Sequence, residues 1–287
     1  MRYTKDFVDY ELLDMANGMK LEKWGKYKLL RPDPQIIWDK KENENLWKNI
    51  DAKYLRSNTG GGHWEVYNKL PDSWKIKYKN LTFNVKPMGF KHTGLFPEQA
   101  VNWDYIIEKI SKVSDKREVK VLNLFSYTGG ATVAALYAGA SVCHVDSSQG
   151  MVNWAKENVT SSNLRDKKVR FIVDDVIKFV KREIKRKNTY DVIIMDPPSY
   201  GRGKNGEVWN IEKDLYELFK LCSSLLSNDP LFILVNTYTG GFSGTIVKTA
   251  LEKAINKKCE ITFDEIGIKQ KNSDLVLPCG MTTICEF

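Results

Sequence analysis

The residues with the most chemical promise are carboxylates, prolines and glycines that fall just after short apolar, β-branched runs. Asp196-Pro197-Pro198-Ser199-Tyr200 follows Val192-Ile193-Ile194-Met195 directly. Two consecutive prolines remove backbone donors and fix φ, so a turn here presents carbonyl oxygens rigidly beside the Asp196 carboxylate. Such acceptors can hold an amino or ring nitrogen with its lone pair aimed at an incoming group, and Tyr200 offers a face on which a base can stack. Alone the pentapeptide would be an ordinary turn. After a strand, in phase with two further sites, it acquires a chemical meaning.

Those two sites precede it. Asn123-Leu124-Phe125-Ser126-Tyr127-Thr128-Gly129-Gly130 runs from a strand candidate into the helical stretch Ala131 to Gly139. A strand that ends in a glycine turn and opens a helix leaves backbone amides and small side chains at the carboxyl edge of a sheet, where ligands bind in open α/β folds. The turn lacks the G-x-G-x-x-G spacing, which disfavours a pyrophosphate cradle; a purely structural strand-to-helix corner is the alternative. Asp146, followed by Ser147, ends the next strand candidate. A carboxylate there can accept both hydroxyls of a ribose, or be no more than a solvated strand end. Asp174-Asp175-Val176 follows the third candidate, where a carboxylate can hold an adenine amino group or cap a helix.

The elements that must position these residues are visible as alternation. Strand candidates at Val119 to Phe125, Ser141 to Asp146, Val169 to Val173, Tyr190 to Met195 and Leu231 to Asn236 are separated by amphipathic stretches. That pattern predicts parallel strands with crossover helices on both faces. After a helical stretch from Gly244 to Lys257, Cys259 to Lys269 and Cys279 to Phe287 read as two last strands. Gln270 to Pro278 between them is too short for a crossover helix and suits a hairpin. The first ninety or so residues read differently, with Trp24, Trp38, Trp47, Trp64 and Trp74, a turn signal at Ser57 to Gly62, and alternating stretches at Trp74 to Tyr78 and Leu81 to Val85. They predict a small β-rich domain over residues 1–92, ahead of an α/β domain over 93–287. Its tryptophans can serve as stacking platforms, but filling a small core is the favoured role.

Composition sets the frame. The chain has 287 residues, of which 42% are hydrophobic and 28% charged, which excludes disordered and collagen-like classes. No stretch is apolar enough to cross a bilayer, and charges interrupt Met1 to Lys20 where a signal peptide needs an apolar core, so a cytoplasmic location is expected. Five cysteines form no CxxC pair and the three histidines are dispersed. The expectation is no metal and no disulfide framework. A net charge of +8 favours a polyanionic partner. The run Val176 to Asn188 sets Lys178, Lys181, Arg182, Lys185, Arg186 and Lys187 against Glu183; it can follow a phosphate backbone or form a solvated helix face. Gly201-Arg202-Gly203-Lys204-Asn205-Gly206 reads as a substrate clamp or a plain loop.

Taken together, the N-L-F-x-Y-T-G-G turn and the D-P-P-x-Y motif resemble those of class I S-adenosylmethionine-dependent methyltransferases, and more narrowly the bacterial ribosomal RNA large-subunit methyltransferase group. The resemblance covers Thr93 to Phe287. It implies a seven-stranded, mostly parallel, Rossmann-like sheet and an enzyme that uses S-adenosyl-L-methionine on RNA, ribosomal in that group. It also implies that Asn123, Phe125, Ser126, Tyr127, Thr128 and Gly129 surround the methionine moiety. Asp146 would take the ribose with Ser147 beside it, Asp175 and Val176 the adenine, and Asp196, Pro197, Pro198 and Tyr200 the methyl-transfer site. Glu98 and Gln99, in Phe96-Pro97-Glu98-Gln99, stand where relatives carry F-L-D-Q-R against the cofactor; this chain has Ala100 in place of the arginine.

Relatives that methylate cytosine C5 place a cysteine after the fifth strand, because a thiolate must add to C6 to make the carbon nucleophilic. Here that position reads Val235-Asn236-Thr237-Tyr238-Thr239. Direct transfer to a nucleobase nitrogen, which needs placement and a proton acceptor, is the expected chemistry. The alternatives are methylation of a small molecule or protein on the same scaffold, and a non-catalytic RNA-binding module that keeps the cofactor fold.

Overall fold

The computed structural model describes residues 1–57, 61–203, 206–238 and 240–287. The middle of the Ser57 to Gly62 turn, Lys204 and Asn205 of the glycine-rich loop, and Thr239 lie outside the described residues. The chain forms two compact units, one of Tyr3–Ala100 with Gly267–Pro278, the other of Met1–Arg2, Val101–Ile266 and Cys279–Phe287. This division differs from a single cut at residue 92. The tip Gly267–Pro278 counts with the N-terminal residues because Gln270 donates from its side-chain amide to Asp14 and the Lys271 N–H donates to the Leu12 carbonyl.

In the N-terminal unit, β1 (Tyr10–Ala16), β2 (Met19–Trp24), β3 (Tyr27–Pro32), β4 (Ala52–Arg56) and β5 (Gly62–Val66) form one sheet in chain order. Asn17-Gly18 turns β1 into β2 with both residues at positive φ, the geometry that matches the twist of a tight hairpin. A second hairpin pairs β6 (Trp74–Tyr78) with β7 (Leu81–Val85). Trp24 is fully buried, and Trp38, Trp47, Trp64 and Trp74 each spend the indole N–H on a partner within the unit. These are core and scaffold aromatics. The unit also buries Glu22 against Arg31, which donates through Nε and Nη2 at 2.5 and 2.6 Å.

The second architecture follows from α1 (Ala100–Ser114) onward: β8 (Lys120–Leu124), α2 (Gly130–Tyr137), β9 (Ser141–Asp146), α3 (Gln149–Ser161), β10 (Val169–Val173), α4 (Val176–Lys185) and β11 (Val192–Met195). A short hairpin, β12 (Tyr200–Arg202) with β13 (Val208–Asn210), leads into α5 (Ile211–Ser223), β14 (Phe232–Thr237), α6 (Gly244–Ala254), β15 (Glu260–Lys269) and β16 (Val276–Glu286). Seven strands form one sheet in the order β10-β9-β8-β11-β14-β16-β15; β10, β9, β8, β11 and β14 are parallel to one another, and β16 runs antiparallel to β14. Every residue of β11 and β14 is buried, as expected of strands covered by helices on both faces. Ser148, Asp175, Asn210 and Ser243 start α3, α4, α5 and α6, each side chain accepting a first-turn N–H. Among the described residues no helix is long and apolar enough to cross a membrane.

Candidate active site

The strand order reverses between β8 and β11, since β9 and β10 lie on one side of β8 and β14 lies beyond β11. Ligands of open α/β sheets bind outside the carboxyl ends of the strands at such a switch point. Leu124 is opposite both Val145 and Met195, so Phe125, Asp146 and Asp196 form the next row, on strands about 4.8 Å apart. Val173 is opposite Asp146, which sets Asp174 one step beyond it. Three motifs separated in the sequence thus share one sheet edge.

The loop after β8 alternates in backbone sense: Phe125, Tyr127 and Gly129 are left-handed, with φ of 54°, 49° and 83°. For the two non-glycine residues this costs about 1–2 kcal/mol each, and the surroundings impose it. The Ser126 hydroxyl donates to the Asn123 carbonyl at 2.7 Å and accepts from the Val145 N–H at 3.1 Å. The Tyr127 N–H donates to Asp146 Oδ2 at 2.8 Å, and the Asn158 side chain donates to the Thr128 carbonyl at 2.8 Å. A Cβ on Gly129 would lie 2.9 Å from that of Ala155, and one on Gly130 would lie 2.9 Å from the Trp103 ring. These glycines let helices α3 and α1 close on the loop.

The side chains expected to surround a ligand are therefore partly turned inward. Ser126 is a clamp between β8 and β9. Asn123 is buried and donates to Thr132 Oγ1 at 3.0 Å, which lies 2.9 Å from His144 Nδ1. Both faces of β8 are covered, so a polar side chain on it must find partners inside the protein. Burial holds the His144 imidazole down, at a pKa of about 3. Thr128 is buried as well, whereas Phe125 and Tyr127 are half-buried.

Asp146 accepts from the Tyr127 N–H through one oxygen and from the Ser148 N–H at 2.9 Å through the other. Burial raises its carboxyl pKa, opposed by those two backbone bonds. Each oxygen keeps a lone pair, so the acceptor capacity for two vicinal hydroxyls remains. Ser147 beside it is exposed. Asp175 spends Oδ1 on the Lys178 N–H at 2.9 Å, capping α4, and Val176 faces the hydrophobic core. Asp174 Oδ1 accepts from the Asp175 N–H, and Oδ2 pairs with Arg182.

At the end of β11, Asp196 is half-buried and Pro197 buried, while Pro198, Ser199 and Tyr200 are exposed. The Pro198 carbonyl, expected as a free acceptor, already accepts from the Trp209 indole at 2.6 Å. That leaves the Pro197 carbonyl and the Asp196 carboxylate on the acceptor side. The Tyr200 hydroxyl accepts from Arg202 Nε at 3.0 Å. One strand further along the edge, Tyr238 is 40% exposed and its ring covers Gly280, where a Cβ would approach to 2.8 Å. Glu98 and Gln99 belong to the N-terminal unit, buried on the short 3-10 turn Pro97–Gln99; burial raises the Glu98 carboxyl pKa, opposed by Lys20. Trp209 and Asn158 were not anticipated. A lone tryptophan or a helical asparagine carries no spacing signal.

The residues present suit a nucleoside: Asp146 keeps acceptors for vicinal hydroxyls, and the half-buried Phe125 and Tyr127 stand in the loop beside it. Among the described residues no three His, Cys, Asp or Glu side chains come together as metal ligands.

Comparison with known proteins agrees. A family model described as S-adenosylmethionine-dependent methyltransferase matches residues 51–254. The chain is 36% identical over 171 residues to the ribosomal RNA large subunit methyltransferase K/L of Shewanella frigidimarina, covering 58% of this chain and 22% of that one. It is 38% identical over 136 residues to the ribosomal RNA large subunit methyltransferase I of Cronobacter sakazakii, covering 47% and 33%. The chain thus spans a third or less of the length of these curated relatives. The crystal structure of the SAM-dependent methyltransferase from Agrobacterium tumefaciens matches 99% of this chain and 92% of that one, with a TM-score of 0.93 and 32% identity. SMU.776 in complex with SAH shares the fold, with a TM-score of 0.76 at 22% identity. The switch-point site and these likenesses lead to one assignment: the chain belongs to the S-adenosylmethionine-dependent methyltransferase family.

Proposed function

We propose that this enzyme methylates a nitrogen of a nucleobase in ribosomal RNA. The observation that carries the reading is the row Phe125–Asp146–Asp196 at the switch point, which sets the donor loop and the double-proline corner on adjacent strands. S-adenosylmethionine, when bound, supplies an activated methyl group on a sulfonium. The chain's own residues do the placing. Asp146 would hold the ribose hydroxyls, and the loop from Phe125 to Gly129 would surround the methionine moiety. The Pro197 carbonyl and Asp196 carboxylate would accept the hydrogens of an amino group and orient its lone pair, and the Asp196 carboxylate would receive the proton that leaves. Tyr200, 52% exposed, offers its ring to the base.

The names of the relatives support ribosomal RNA as the substrate, and the net charge of +8 suits a phosphate backbone. The basic run contributes less than its composition suggests. Lys178, Arg182 and Arg186 pair with Glu207, Asp174 and Glu183, which leaves Lys181, Lys185 and Lys187 as its exposed remainder.

Nucleoside mass spectrometry of ribosomal RNA from cells with and without the protein tests the substrate. One N-methylated nucleoside should disappear, and an unchanged profile would contradict the reading. The atom is tested through Cys279. Thr237 pairs with Met281, so Cys279 lies just past that pairing, at the same sheet edge. Cys279→Ser should transfer at the wild-type rate; loss of transfer would instead indicate thiolate addition and a carbon target.

A further inference from the structure

We propose that Trp209 is a positioning residue that couples the donor loop to the hairpin carrying Tyr200. The inference rests on the methyl-transfer reading of the Asp196–Pro198 corner. Trp209 lies on β13 and is 7% exposed. Its indole N–H donates to the Pro198 carbonyl at 2.6 Å, and its ring meets that of Phe125 at 4.8 Å between centroids, tilted by 57°. Phe125 is the first left-handed residue of the donor loop, and Pro198 is the second proline of the corner. One rigid side chain thus touches both halves of the proposed reaction site.

An indole has one donor and no acceptor. Its hydrogen bond therefore fixes the orientation of the ring as well as the carbonyl it reaches. Two consequences follow. The Pro198 carbonyl is taken out of the substrate-binding set, which narrows recognition to Asp196 and the Pro197 carbonyl. Trp209 also pairs with Gly201, and Tyr200 with Asn210, so a shift of the indole moves the register that places Tyr200. The hairpin has further ties: the Ile211 N–H donates to the Ser199 carbonyl at 3.1 Å, and Lys178 pairs with Glu207 at 2.6 Å. Neither reaches the donor loop. Trp209 is the route by which a change at Phe125 on donor binding reaches the residue that stacks the base.

A tryptophan that merely fills the core would tolerate phenylalanine, which keeps an aromatic ring and loses only the N–H. The test uses the full chain, wild type and Trp209→Phe, with S-adenosylhomocysteine as probe. Its affinity is measured by titration calorimetry, and amide hydrogen exchange is followed over residues 199–210 with and without it. Transfer kinetics use ribosomal RNA from cells lacking the protein. In the wild type the probe should slow exchange in the hairpin. Trp209→Phe should bind the probe within about threefold of wild type, lose the added protection, and lower kcat about tenfold, the equivalent of one hydrogen bond at roughly 1.4 kcal/mol. Wild-type kcat together with retained protection in Trp209→Phe would overturn the coupling. If that variant does not fold, Phe125→Leu, which removes the ring contact from the other side, should abolish the protection, and its persistence would overturn the proposal. Wild type that binds the probe without any change in the hairpin overturns the coupling alone. Wild type that binds no probe overturns the functional reading, and the coupling with it.

Discussion

The loop after β8 and the corner after β11 stand on adjacent strands and are built on opposite principles. In the first, Ser126, Tyr127 and Thr128 are bonded into β8, β9 and α3, Gly129 is bonded to Ser126 and to α2, and three left-handed residues are imposed by that wiring. In the second, two prolines give stiffness without hydrogen bonds, Ser199 and Tyr200 are exposed, and one indole anchors the Pro198 carbonyl. A donor of constant shape is served by a preformed cradle. The RNA acceptor proposed above would be served by a stiff corner with an open side. The difference assigns rigidity to one half of the site and access to the other.

That contrast can be broken from either side. Asp196→Ala removes the carboxylate from the open corner and should lower kcat by about 10²–10⁴, the range for losing a general acid–base group, with S-adenosylmethionine affinity nearly unchanged. Steady-state transfer and titration calorimetry measure both, and an equal fall in affinity would make Asp196 a donor-side group. Gly129→Val attacks the cradle. With φ at 83° and a Cβ forced to 2.9 Å from Ala155, it should cost about 1–3 kcal/mol of stability and weaken donor binding at least tenfold, read by urea denaturation and calorimetry. Tyr200→Ala should raise KM for RNA about tenfold, a stacking loss of roughly 1–3 kcal/mol, while kcat stays within a factor of a few. A fall in kcat with constant KM would move Tyr200 to the chemistry.

A pH dependence is expected on the cradle side. His144 is held neutral by burial, with a pKa of about 3 against the ordinary value of 6.5. Its folded-state pKa is depressed, so below pH 6.5 the unfolded chain takes a proton that the folded chain refuses. The contribution is complete above pH 6.5 and is lost as the pH falls toward 3, by up to about 1.4 kcal/mol per unit. Urea midpoints should fall between pH 7 and pH 4.5, and less steeply in His144→Gln. His92, lowered to about 4 by burial and the charges of Arg31, Lys91 and Lys20, acts in the same direction in the N-terminal unit. An identical slope in wild type and variant would place the titration elsewhere.

Much of the α/β sheet was legible because its strands are uninterrupted apolar runs. Ser141–Asp146 and Val169–Val173 fall on the expected residues, and β16 begins three residues earlier than expected, at Val276. In the N-terminal sheet Glu22 and Arg31 are charged yet buried against each other, which breaks the alternation that marks a half-buried strand. Asn17-Gly18 is the local hairpin signal of this sheet, set among the tryptophans. At the site, the position of each motif along its strand was legible, since a strand end can be read from where the apolar run stops. Side-chain direction was not. Asn123, Ser126, Asp175 and Val176 stand at or next to strand ends, and their side chains pack in the core, clamp two strands and cap a helix. Distinguishing those roles requires knowing which residue on a neighbouring element supplies the partner, and Trp209 was invisible for the same reason.

The tip between the last two strands, Gly267–Pro278, has a further consequence. Its residues are bonded to β1 through Gln270 and Lys271, while the strands it joins belong to the catalytic sheet. The polypeptide therefore visits the N-terminal unit twice, once at the start and once near its end. No single cleavage of the gene yields both pieces whole, and recombination that exchanged one piece for a foreign one would leave this stitch without its counterpart.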